Sequence, residues 1–142
     1  MKTTSGQRNM REYVILQTGA LLRRVASRMT QAAHAADADA VHHLRVAIRR
    51  LSRSLRVFAQ FYPRDSRKQL RRRLADLLDA CGGVRDRDIA IGLLRKAGMA
   101  ATAPLVRRLG AERRAAAREL QMQLQDWKPR GFTRQWRNRL EL

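Results

Sequence analysis

Apolar residues recur along this chain at steps of three, four and seven, the spacing of one helix face. The first such stretch runs from about Asn9 to Ala33, with Tyr13, Leu16, Leu21 and Val25 among its candidate core positions. Asp37-Ala38-Asp39 supplies an N-cap signal for a second helix, Ala40 to about Phe61. Tyr62-Pro63 ends that helix, because the residue before proline is pushed out of helical geometry. Ser66 with Gln69 three residues on reads as a capping box opening a third helix, whose core stripe is Leu70, Leu74, Leu77, Leu78 and Cys81. Gly82-Gly83 then predicts a kink or short break, with helix resuming from Asp86 to Lys96 and Gly98 closing it. Pro104 opens a fourth helix carrying Leu105, Leu109, Ala116, Leu120, Leu124 and Trp127 on one stripe. Lys128 to Gly131 reads as a turn, and Phe132, Trp136 and Leu140 make a short basic tail helix.

No stretch reads as a strand, and the linkers are short. The expected fold is therefore all-α: an antiparallel four-helix bundle with a short C-terminal helix. The 142 residues suit a single helical domain, 1–142, with one core. A lone cysteine, Cys81, leaves no intrachain disulfide and suits a reducing compartment. No apolar run is long enough to span a membrane and no signal peptide is evident, so the expected location is cytoplasmic.

Charge changes the picture. Lys plus Arg number 31 against 12 Asp plus Glu, a net charge of +19. A chain so basic repels itself unless an anion neutralises it. Nearly all of the cations are arginine, whose planar fork binds phosphate oxygens two at a time. The alternative, a genome rich in G and C that writes arginine for lysine, does not account for the charge excess.

The second helix concentrates the signal. On a wheel, Val41, Leu44, Ile48, Leu51, Leu55 and Phe58 share a core arc near ~310°. His42, Arg45, Arg49, Arg53 and Arg56 share a second arc near ~80°, with Val46 and Val57 beyond it near ~150°. A merely solvated face would place acids four residues from the arginines, yet no acid follows Asp39 in this helix. Arg67, Lys68, Arg71, Arg72 and Arg73 crowd the start of the third helix. Arg85-Asp86-Arg87-Asp88 follows the glycine pair, and Asp86 and Asp88 read as carboxylates that hold arginine forks in place. His34, His42 and His43 lack cysteine or carboxylate companions at ligand spacing, so no metal site is expected.

The stretch Val41-His42-His43-Leu44-Arg45-Val46-Ala47-Ile48-Arg49-Arg50-Leu51 resembles the signature of the CHAD family, the conserved histidine α-helical domain: Val-His-x-x-Arg-Val-x-x-Arg-Arg-Leu. His42, Arg45, Arg49 and Arg50 match it. Gly82-Gly83-Val84-Arg85-Asp86-Arg87-Asp88-Ile89 resembles the family's second element, Gly-x-x-Arg-Asp-x-Asp-Val. The resemblance covers about Met10 to Trp127. It implies a helical bundle that binds inorganic polyphosphate through a basic channel, at polyphosphate granules, with no cofactor. The candidate polyphosphate contacts are His42, Arg45, Arg49, Arg50, Arg53, Arg56, Arg71, Arg72 and Arg85, with Asp86 and Asp88 behind them. Family members carry two similar halves that face each other, whereas this chain carries one. Either two chains pair to rebuild the channel, or the other half lies outside this sequence, or binding is weakened. The expected assembly is a homodimer, and Val46 and Val57 would be wet without it.

A basic nucleic-acid-binding protein is the alternative, since any phosphate polymer suits this charge. Against it, aromatic residues are few and lie away from the arginine stripe. Catalysis is not expected. The glutamates are scattered, no Ser-His-Asp order is evident, and no glycine-rich phosphate loop precedes a helix.

Overall fold

A computed structural model describes residues 2–142, the side chains from Ser5 onward. Five α-helices and no strand occur among the described residues: α1 (Lys2–His34), α2 (Ala38–Val57), α3 (Arg64–Lys96), α4 (Pro104–Trp127) and α5 (Pro129–Arg139). A 3-10 turn, Ala59–Phe61, leads from α2 towards α3. Packing follows a ring: α1 against α2, α2 against α3, α3 against α4, and α4 against α1, with α5 laid on α1. The expected four-helix bundle with a short fifth helix is what forms. Among the described residues no helix is long and apolar enough to cross a membrane.

The core is aliphatic through the ring and aromatic at the α5 end. Leu22, Met29, Leu44, Ile48, Leu51, Leu55, Leu70, Leu74, Leu77 and Leu120 are fully buried, as are Phe132, Trp136 and Leu140. Burying one such side chain contributes about 1.5–3 kcal/mol. The short tail helix is therefore an integral part of the core, because each of its apolar residues points into the bundle.

In α1 the expected core register is corrected. Val14, Thr18, Leu22, Val25, Met29 and Ala32 face inward, while Tyr13 and Leu16 are 53% and 74% exposed. Leu21 is half-buried, and Val25 is the inward residue that the sequence reading placed correctly. This helix carries apolar residues on more than one face, and the three helices docked on it, α2, α4 and α5, choose between them. The choice buries Thr18, whose hydroxyl shares a 2.6 Å hydrogen bond with the Tyr62 hydroxyl. It also buries Gly19 beneath Arg137 of α5, where a Cβ would lie 2.5 Å from Nη1.

Asp37 caps α2 as expected, accepting from the Ala40 amide at 2.8 Å. Helical geometry ends at Phe58, short of the expected Phe61, because the chain tightens into the 3-10 turn before Pro63. The Ser66–Gln69 capping box does not form. Helix α3 already starts at Arg64, so Ser66 lies inside the first turn, and Pro63 offers no side-chain cap.

Gly82-Gly83 does not break α3, which runs unbroken to Lys96. Buried Cys81 and Val84 anchor the helix on either side of the pair, so packing holds a stretch that propensity alone would loosen. Gly98, at φ 90°, does terminate the segment. Helix α4 opens at Pro104 and buries Val106, Ala117, Leu120, Leu124 and Trp127. Leu105 is exposed, and Leu109 and Ala116 are half-buried, so the inward stripe starts one residue later than expected. Lys128, at φ 50°, makes the sharp turn into α5.

Candidate anion-binding groove

The two CHAD-like motifs lie on neighbouring helices, and antiparallel packing of α2 against α3 brings them together. Arg85 Nη1 approaches His42 Nδ1 at 3.4 Å. With Nδ1 as acceptor, the ring proton sits on Nε2 and points away from Arg85. A depression of about 240 Å³ opens here, lined by Val41, His42, Arg85, Asp88 and Ile89 among others.

Arg45 stands one turn further along α2. Burial, then the positive charges of Arg49 and Arg85, pull its guanidinium below the ordinary arginine pKa, while Cys81 and Asp86 act in the opposite direction. Three cations thus stand close together along the seam between α2 and α3, the candidate groove. None of them makes an ion pair among the described residues. The Nε atoms of Arg45 and Arg67 are both shielded and without a partner there. An unpaired donor in a sheltered place costs free energy until an acceptor arrives.

The remaining candidates separate. Arg71 is half-buried and lies two heptads before Arg85, so it shares the α2-facing side of α3. Arg67, one turn before Arg71, shares that side too. It was absent from the sequence-derived set, although its four-residue spacing from Arg71 was a usable signal. Arg49 and Arg56 are exposed on the same arc of α2 as Arg45. Arg50 and Arg53 line a different feature, an apolar slot of about 300 Å³ between α1 and α2 with Tyr13, Leu21, Val57 and Phe58. Arg72 lines a depression beside Asp65, Lys68, Gln69 and Arg73, away from His42 and Arg85.

The acidic residues divide as well. Asp86 is exposed and acts on Arg45 through space. Asp88 accepts from Arg113 of α4, Nε to Oδ1 at 2.9 Å, rather than from an arginine of the groove. Arg87 pairs with Glu112 at 3.6 Å, where Arg108 also converges. Val57 is 62% exposed, as expected of a lone chain, whereas Val46 is half-buried. No group of three or more His, Cys, Asp or Glu side chains that could hold a metal occurs among the described residues.

No curated protein and no solved structure matches the chain. The family model of the CHAD domain matches residues 17–142, so the matched stretch includes α5 as well as both motifs. With its two motifs packed side by side across α2 and α3, and nearly its whole length matched, this chain belongs to the CHAD-domain family.

Proposed function

We propose that this protein binds inorganic polyphosphate, without turning it over, along the basic groove between α2 and α3. The observation that carries this reading is the juxtaposition of Arg45, Arg49 and Arg85 with no ion-pairing acid among the described residues. Like charges held together by a packed core repel one another. A chain of phosphates laid between them turns that repulsion into attraction, and arginine forks match its oxygens in pairs. His42 and Arg85 form one end of the groove, and Arg71 and Arg67 continue it along α3.

Polyphosphate is preferred over nucleic acid because the groove offers charge without a stacking surface. Phe132, Trp127 and Trp136 are all buried in the core. We expect two chains to pair across the groove with anion between them to offset the repulsion. Exposed Val57 lies beside the slot between α1 and α2, outside that groove. In a cell, such a module would gather in the cytoplasm at polyphosphate deposits.

Competition binding tests the proposal. Labelled polyphosphate is displaced by unlabelled polyphosphate, single-stranded DNA and duplex DNA of equal charge at one fixed salt concentration. Polyphosphate is expected to compete best, and affinity to fall steeply with added salt as counterions are released. Equal displacement by duplex DNA would leave only general polyanion binding.

A further inference from the structure

We infer that the depression at the start of α3 is a second anion site, and that one long polyphosphate chain occupies it and the groove together. This rests on the polyphosphate reading above. The depression has a volume of about 490 Å³ and is lined by Asp65, Lys68, Gln69, Arg72 and Arg73. Neither Lys68 nor Arg72 makes an ion pair among the described residues. Two neighbouring guanidinium groups are held in place. The Arg73 head lies 4.2 Å from the centre of the Trp127 ring, and Arg139 of α5 donates to Gln69 Oε1 at 3.2 Å. A guanidinium already fixed by its surroundings loses less freedom when an anion binds.

The site is separate from the groove by helix geometry. Arg72 precedes Arg85 by thirteen residues, which places it about 20 Å along the axis of α3 and about 140° around it. A small phosphate cannot touch both. A long flexible chain can, because the cations between them form a path. From Arg85 it follows Arg45, Arg49 and Arg56 along antiparallel α2 to Arg71 and Arg67 near the start of α3. It then turns over the first turns of the helix to Lys68 and Arg72. The second contact is made at a high effective concentration once the first has formed, so affinity rises with chain length without any change in the groove.

The experiment compares tripolyphosphate with long-chain polyphosphate on the intact chain at constant ionic strength. Three proteins are titrated: the parent, the Lys68→Ala/Arg72→Ala variant, and a control with two exposed arginines of α4 removed, Arg114→Ala/Arg118→Ala. Far-UV circular dichroism verifies that all three remain helical. The Lys68/Arg72 variant is expected to lower the ratio of long-chain to tripolyphosphate affinity about tenfold relative to the control. An unchanged ratio, or a ratio lowered equally by the control, overturns the second site while leaving the groove intact. Absence of binding at either length by the parent protein overturns both readings.

Discussion

Arg113 of α4 reaches across to Asp88 of α3, donating from Nε to Oδ1 at 2.9 Å. Its Nη2 donates at the same time to the Ala36 carbonyl at 2.8 Å, in the loop that leads into α2. One guanidinium therefore joins three segments next to the His42 end of the groove. Both side chains are about three-quarters shielded, at 23% and 28% exposure. Arg113→Ala strands a carboxylate and a carbonyl together and should cost about 1–3 kcal/mol. Urea unfolding checks this, and a shift no larger than that of Arg114→Ala would show that the bridge is ornamental. Arg113 is for the same reason unsuitable as a neutral charge control in binding work.

The groove variant Arg45→Ala/Arg49→Ala should weaken polyphosphate binding by about 1.5–3 kcal/mol per lost charge-assisted contact. Helix content should be unchanged, since neither residue belongs to the core face. The Arg114→Ala/Arg118→Ala pair removes the same formal charge from exposed positions of α4. Equal losses in the two variants would make net charge, rather than the groove, the determinant.

Cys81 gives the fold a dependence on alkaline pH. Burial pushes its thiol pKa up to about 12, against a weaker opposing pull from Arg45. The unfolded chain ionises this thiol at the ordinary, lower pKa of about 8.5. Above that value the unfolded state therefore holds fewer protons than the folded one. Stability from this group is fully present below the unfolded pKa and declines as pH rises towards the folded one. Cys81→Ala should start less stable because of the cavity it leaves, yet show a shallower loss of stability between neutral and strongly alkaline pH. Parallel curves for the two proteins would contradict the assignment. In the native state Cys81 should also resist alkylation until the bundle unfolds.

Gly82 occupies a continuous helix, and a Cβ built there meets nothing within 4 Å. Gly82→Ala should therefore stabilise the protein by about 0.5–1 kcal/mol, by lowering the entropy of the unfolded chain. A thermal melt measures it. Destabilisation would mean that the helix is locally strained at the glycine pair.

Tyr62→Phe removes the partner of the buried Thr18 hydroxyl and keeps the ring. The stranded hydroxyl should cost about 1–3 kcal/mol. The combination of Tyr62→Phe with Thr18→Val should recover part of that loss, and an additive double variant would argue against the hydrogen bond.

Helix content, the bundle and both motifs were legible in the chain because each depends on local information. Asp37 followed by the Val41, Leu44, Ile48, Leu51 and Leu55 stripe specifies a capped amphipathic helix wherever it occurs. Spacing alone likewise placed Arg45 and Arg49 off the core face. Three matters waited for the tertiary structure. The register of α1 was ambiguous because Tyr13 and Leu16 are core-forming side chains like Val14 and Leu22, and only docking of α2, α4 and α5 selects the inward face. The continuity of α3 through Gly82-Gly83 follows from the burial of Cys81 and Val84, which outweighs the weak propensity of two glycines. The division of the arginines was decided last. Arg85 meets His42 and Arg45, Arg50 and Arg53 fall beside an apolar slot, and Arg72 faces elsewhere, because helix rotation and neighbour choice assign each side chain its environment. Periodicity along one helix places a residue on a face, but what that face meets is a property of the packed bundle.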